Sequence, residues 1–234
     1  MKIYLHTIGC RLNLSELETT GRRLLGSNHE ITGNPAEAQA VIINTCFVTA
    51  KAASDTRSIL RRVMRLNPSA IIAATGCYAT IASRELKNIC PDIRIIPNSE
   101  KDRLADIIDP ARSHTTPDFR STPLIGESTG ATVGRTRAFI KVQDGCDNRC
   151  TFCVTSIARG PERSRPAAEI ISEINSLAEA GFKEAILSGV HIGAYGRGLP
   201  ETSDLHDLVG KILKYTGIER LRLSSLEPWN IKPG

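Results

Sequence analysis

Two stretches, AVIINTC (40 to 46) and AIIAATGC (70 to 77), are almost unbrokenly apolar, and a helical pattern follows each. A strand apolar on both sides must be covered on both faces, as in parallel sheets whose crossover helices pack above and below them. The alternation extends in both directions. KIYLHTI (2 to 8) precedes the helical spacing of LSELETTGRRLLG (14 to 26). A helix over 50 to 66 follows the second strand, and a shorter one over 80 to 89 follows the third. The strand IRIIPN (93 to 98) and a helix over 100 to 108 complete the series. Residues 1–109 are therefore expected to fold as a small α/β domain, a parallel-sheet βαβ sandwich.

Residues 110–135 are rich in Pro, Gly, Ser and Thr without apolar periodicity, which predicts a linker. Over 136–234 the alternation resumes. A strand in RTRAFIKVQ leads to a helix over 167 to 181, a strand over 184 to 190, a helix over 204 to 217 and a strand over 220 to 227. Three strands and two helices do not close a barrel, so the expectation is the first part of a (β/α) partial barrel in a C-terminally incomplete chain. No run of about 18 apolar residues exists and the start, MKIYLHTIGCRLN, makes a poor signal peptide. A cytoplasmic protein with no membrane partner is expected. The formal charge of +5 is compatible with a nucleic-acid partner.

Seven cysteines without a secretion signal favour metal or redox chemistry over disulfides. Cys146, Cys150 and Cys153 crowd into QDGCDNRCTFCVTSIARG (143 to 160). A structural zinc site wants four ligands, yet the nearest downstream histidine is His191. A cubane iron–sulfur cluster held by only three thiolates leaves one iron open. Cys10, Cys46 and Cys77 follow the first three strands in TIGC, NTC and TGC. The carboxyl ends of parallel strands share one edge, where ligands bind, so these three are predicted to converge. One such cysteine alone would read as a small buried hydrophobe, and Cys90 is read that way. His6 is expected to pack, and His29, His114 and His206 to lie at the surface. Arg57, Arg61, Arg62 and Arg65 form one helix face, and Arg159, Arg163 and Arg165 follow the cysteine loop. Both groups suit phosphate contacts, with a solvated face as the alternative for the first.

Cys-x3-Cys-x2-Cys between a strand and a helix resembles the radical S-adenosylmethionine superfamily. The resemblance implies a 4Fe-4S cluster on Cys146, Cys150 and Cys153. Its open iron takes the amino and carboxylate groups of S-adenosyl-L-methionine, whose reductive cleavage gives a 5′-deoxyadenosyl radical. It also implies Phe152 near the adenine (a core-filling Phe being the alternative), Gly189 near the methionine end, and Ser225 and Glu227 near the ribose. TIGCRLN, NTCFVTAKAASDTR and TGCY combined with that loop are similar to the methylthiotransferase family, over residues 1 to 231. In that family Cys10, Cys46 and Cys77 hold a second 4Fe-4S cluster that handles sulfur, and Asn13, Asn44, Thr45 and Gly76 match residues around it.

FIKVQDGCDNRCTFC, ARGPERSRP, LSGVHIGAYG and RLRLSSLEP resemble most the branch acting on N6-threonylcarbamoyladenosine in tRNA. The implied product is the 2-methylthio derivative at position 37, and the implied partners are the tRNA anticodon stem-loop, an electron donor and a sulfur donor. The branches acting on isopentenyladenosine in tRNA or on a ribosomal-protein aspartate remain alternatives, as does a non-catalytic iron–sulfur or zinc-binding module. The C-terminal RNA-binding barrel usual in family members is expected to be absent from this chain.

Overall fold

Strict alternation of side chains along each strand divides the first unit, Met1–Val133, into two cores on either side of one sheet. The computed structural model describes residues 1–113, 137–200, 203–224, 226, 227 and 229. Within the first unit, β1 (Lys2–Thr7), β2 (Glu30–Thr32), β3 (Ala40–Thr45), β4 (Ile71–Gly76) and β5 (Arg94–Ile96) form a wholly parallel sheet in the order β2-β1-β3-β4-β5. Ile3, Leu5, Ala40, Ile42 and Ala73 face one way, onto Leu17 and Leu24 of α1 (Arg11–Gly26) and Leu104 and Ile108 of α5 (Leu104–Ile108). Tyr4, Val41, Ile43, Ile72 and Ala74 face the other way. There they meet Leu60 and Val63 of α2 (Ala50–Leu66), Tyr78 of α3 (Cys77–Ile81) and Leu86 of α4 (Ser83–Ile89).

Several boundaries differ from the expectation. The short edge strand β2 carries too few residues to show a period. The helix expected over 80 to 89 is two helices, and the first begins at Cys77 itself. Gly76, with φ +96°, turns the chain straight from β4 into it. The helix expected over 100 to 108 starts as a 3-10 turn, Asn98–Arg103. There Lys101 pairs with Glu16 of α1 at 2.5 Å in the interior. His29 is not a surface residue. Its ring is buried, with Nε2 3.5 Å from an Asp109 carboxylate oxygen. Cys90 is buried in the α2/α4 core, as read, while His114 lies outside the described residues.

The second unit, Gly134–Gly234, holds the parallel sheet β10-β9-β6, from β6 (Arg137–Lys141), β9 (Glu184–Ser188) and β10 (Arg220–Leu223). Helix α7 (Ala167–Glu179) buries Ile170, Ile174 and Leu177, and α8 (Leu205–Tyr215) buries Leu208 and Ile212. The antiparallel pair β7 (Gln143–Asp144) and β8 (Arg163–Ser164), and the short α6 (Thr155–Arg159), are new relative to the sequence reading. Most of the linker expected over 110–135 falls outside the described residues. Among the described residues, no helix is long and apolar enough to cross a membrane.

Candidate metal centres

The carboxyl edge of the five-stranded sheet gathers Cys10, Cys46 and Cys77. In the β3–β4 pair Thr45 lies opposite Gly76, so the next residues, Cys46 and Cys77, leave adjacent strands about 4.8 Å apart at the same level. Thr7 of β1 lies opposite Asn44, and the chain then turns through Gly9 to place Cys10 at the N-cap of α1. Gly9 has φ +107°, and a Cβ there would fall 2.8 Å from the Cys46 sulfur. None of the three forms a disulfide. Cys46 and Cys77 are buried, and Cys10 is exposed.

Side chains lock this edge. Asn13 Nδ2 donates to the carbonyls of Ile8 (2.9 Å) and Thr45 (3.1 Å), and Asn44 Nδ2 donates to the Asn13 carbonyl (2.8 Å). Thr45 Oγ1 donates to the Thr75 carbonyl (2.6 Å) and accepts from the Ala79 amide (3.1 Å). A Cβ on Gly76 would lie 2.2 Å from the Thr45 carbonyl oxygen. The sequence reading missed Asn98, whose backbone is held by Thr80 (3.0 Å) and whose Nδ2 lies 3.9 Å from Cys77 Sγ. Three cysteine-bearing turns are thus tied into one hydrogen-bonded rim.

In the second unit the cysteine loop is pinched at its neck. The β7–β8 pair closes it, Cys146 N donates to the Gly160 carbonyl at 3.0 Å, and Gly145 (φ +72°) leaves no room for a Cβ against Pro161. The buried Asp144 carboxylate receives Arg159 (2.9 Å), Arg163 (2.8 Å) and the Gly145 amide (2.9 Å). Beyond the neck Cys153 N donates to the Cys150 carbonyl at 3.0 Å. Burial pushes the Cys146 thiol up, and the Glu162 charge adds to it. A side-chain hydrogen bond with Thr155 draws the Cys153 thiol down despite partial burial.

The fold also supplies a neighbour that sequence distance concealed. His191 reaches Cys146 together with Glu162, their ligand atoms all lying within 4.8 Å of one another. His191, distant from the loop in sequence, therefore lies beside it in space, because β9 runs beside β6 and delivers residues 189–191 to the same end. His191 Nδ1 is 2.8 Å from Glu162 Oε1, and its Nε2 is 3.6 Å from Glu227 Oε2. Arg197 holds the other Glu162 oxygen at 2.5 Å. Burial raises the Glu162 carboxyl, but the hydrogen bonds from His191 and Arg197 more than offset this and hold it low.

The remaining expected site residues divide. Phe152 is 90% exposed, which removes the core-filling reading. Gly189 packs on Gln143, where a Cβ would lie 2.8 Å from Gln143 Oε1. Ser225 lies outside the described residues. Arg159 is buried in its pair with Asp144. Arg165 binds Glu173 (2.7 Å) and the Lys141 carbonyl (2.8 Å). Arg163 also pairs with Asp144 yet keeps 42% of its side chain exposed. On α2, Arg57 is engaged by Tyr78 and Glu85, while Arg61, Arg62 and Arg65 are exposed.

Each cysteine set fits an iron–sulfur cluster on the chemistry of its donors: three sulfurs per set outside any disulfide, with glycines in both rims where a Cβ would collide. Residues 2–97 match the uncharacterized protein family UPF0004, and residues 140–228 match the Radical SAM superfamily. The threonylcarbamoyladenosine tRNA methylthiotransferase MtaB of Bacillus subtilis (strain 168) is 32% identical over 228 residues, which is 95% of this chain and 51% of that protein. Along 95% of its length the chain thus resembles a radical S-adenosylmethionine methylthiotransferase. Other methylthiotransferases match to the same degree. MtaB of Aquifex aeolicus (strain VF5) is 32% identical over 97% of this chain and 56% of its own length. The tRNA-2-methylthio-N(6)-dimethylallyladenosine synthase of Syntrophus aciditrophicus (strain SB) is 32% identical over 97% and 51%. The chain spans about half the length of the curated relatives it matches. Among solved structures, the radical S-adenosylmethionine methyltransferase TsrM from Kitasatospora setae superposes with a TM-score of 0.56 at 15% identity, over 82% of this chain and 48% of that one. That likeness speaks to the fold alone.

Proposed function

We propose that this chain carries the two metal centres of a cytoplasmic tRNA methylthiotransferase that converts N6-threonylcarbamoyladenosine at position 37 to its 2-methylthio derivative. The observation that carries the reading is the presence, in one chain, of two three-cysteine sets. Each would leave a cubane with one iron lacking a protein ligand. The substrate branch is supported by the two MtaB relatives. The Syntrophus synthase matches at the same identity, so isopentenyladenosine in tRNA is the nearest rival substrate.

When bound, the clusters and S-adenosyl-L-methionine supply the radical and sulfur chemistry that no side chain provides. The chain's own residues hold and aim them. Cys146, Cys150 and Cys153 would hold one cluster as thiolates, and Cys10, Cys46 and Cys77 would hold the other within the rim built by Asn13, Asn44, Thr45 and Gly76. The exposed Phe152 is the residue that would meet the adenine, and Gly189, Ser225 and Glu227 are the candidates that would serve the methionine end and the ribose. Arg163 keeps the exposure needed to touch the anticodon stem-loop. Arg159 and Arg165 support the loop from within, so the earlier assignment of all three to substrate narrows to Arg163. An electron donor and a sulfur donor complete the partners.

The test is anaerobic incubation of the reconstituted chain with a strong reductant, sulfide, S-adenosyl-L-methionine and tRNA carrying threonylcarbamoyladenosine or isopentenyladenosine. Formation of 5′-deoxyadenosine and replacement of one hydrogen by a methylthio group on the first tRNA are expected. Modification of the second tRNA alone would reassign the branch. A zinc-binding module is the second reading, favoured by the Cys146–Glu162–His191 group. Bound zinc, no iron and no cofactor cleavage would establish it instead.

A further inference from the structure

Gln143 is 1% exposed and stands three residues before the first cysteine of the loop. A carboxamide offers two donor hydrogens and an oxygen able to accept twice. Gln143 uses all four. Nε2 donates to the carbonyls of Asp144 (3.0 Å) and Gly145 (2.8 Å), the two residues ahead of Cys146. Oε1 accepts from the amides of Val190 (2.9 Å) and His191 (2.8 Å), the two residues after Gly189. One planar group therefore joins the entry of the cysteine loop to the turn that follows β9. The absence of a side chain at Gly189 has a reason here, since a Cβ would lie 2.8 Å from Gln143 Oε1.

We infer that Gln143 is a positioning residue that fixes the cysteine loop relative to the 189–191 turn and thereby sets how tightly S-adenosyl-L-methionine binds. The inference rests on the functional reading above, in which Cys146 holds the cluster and Gly189 meets the methionine end. Groups that orient metal ligands from behind change affinity or activity by about tenfold to a hundredfold when removed. A plain folding role is the competing account, because any buried, fully satisfied carboxamide also stabilises the unit.

Two substitutions separate them. Gln143→Met keeps length and bulk but removes all four hydrogen bonds. Gln143→Glu keeps the acceptor half that holds Val190 and His191, and sets an oxygen against the Asp144 and Gly145 carbonyls. The measurements are iron content, the dissociation constant for S-adenosyl-L-methionine by anaerobic equilibrium dialysis, and the change the cofactor makes to the electron paramagnetic resonance of the reduced cluster. All are made on the full chain with Cys10, Cys46 and Cys77 changed to Ala, so that only one cluster contributes. Gln143→Met should retain iron, weaken the cofactor about tenfold to a hundredfold and blunt the spectral change, with Gln143→Glu in between. Parental affinity and spectral change in iron-loaded variants, whatever their melting temperature, would overturn the inference. So would failure of both variants to hold iron, which would make Gln143 a folding residue. Failure of the parent chain to bind the cofactor would overturn the functional reading, and this inference with it.

Discussion

At the scale of single residues, two positions carry most of the local constraint. Gly76 combines a left-handed φ with a Cβ direction that ends 2.2 Å from the Thr45 carbonyl oxygen. This backbone conformation, with ψ −172°, is essentially reserved for glycine and alone costs a side chain about 1–3 kcal/mol, and the collision must also move β3 away from β4, next to Cys46 and Cys77. Gly76→Ala is therefore expected to lose iron from the Cys10/Cys46/Cys77 set while the other set keeps its own, measured by iron analysis and Mössbauer spectroscopy. Asp144 is the corresponding point in the second unit. Removing it leaves the buried Arg159 guanidinium without that carboxylate, and breaking a buried pair from one side costs about 3–5 kcal/mol. Asp144→Ala should lower the urea midpoint of the second unit by a matching amount, and an unchanged midpoint would show that the pair does not hold the loop. Cys146, Cys150 and Cys153 were legible as a group from their spacing, and Cys10, Cys46 and Cys77 from their places at strand ends. The partners of Arg159 and Arg165 were not, since a charge in a sequence announces itself but not the carboxylate it will meet. Asp144 lies 15 residues before Arg159 and becomes its neighbour only when the loop closes.

At the scale of elements, the long strands and helices were readable because burial on both sheet faces forces continuous apolar runs, and burial of one helix side forces spacing of three and four. Elements of two or three residues carry no period, so β2 and the β7–β8 pair were invisible, and with them the neck that shapes the cysteine loop. His29 was misplaced for a related reason. A histidine between a helix end and a short strand gives no sign of whether an acid will come to meet it, and Asp109 arrives from far along the chain. Helix α2 offers a test of how an element steadies the first metal rim. Its N-cap, Thr49, accepts from the Ala52 amide at 3.1 Å only three residues after Cys46. Thr49→Ala should cost about 1 kcal/mol in urea unfolding of the first unit. An effect well below this would mean that the rim's hydrogen bonds, not the helix start, fix the chain after Cys46.

At the scale of the whole molecule, the chain divides into Met1–Val133 and Gly134–Gly234, each with its own parallel sheet and its own apolar core. The alternation of strands and helices made both sheets legible. Among the described residues the smaller sheet has three parallel strands and does not close on itself, since parallel strands need long crossovers and cannot close with few of them. Because each three-cysteine set is built entirely from the turns of its own unit, the two sets should load metal independently. The full chain, reconstituted anaerobically, is expected to bind about eight irons, and replacing either Cys10, Cys46 and Cys77 or Cys146, Cys150 and Cys153 by Ala should leave about four. The remaining four should keep the optical and magnetic spectrum they contribute in the parent, so that the two variants' spectra sum to it. Loss of all iron on emptying one set would mean that the sets share ligands or that one unit cannot fold without the other's cluster. Zinc retained by the variant with an intact Cys146/Cys150/Cys153 set, with no iron at all, would point instead to Glu162 and His191 completing a zinc site with Cys146. Iron count and metal identity in these two variants thus decide whether the two cysteine sets are autonomous in the chain as it stands.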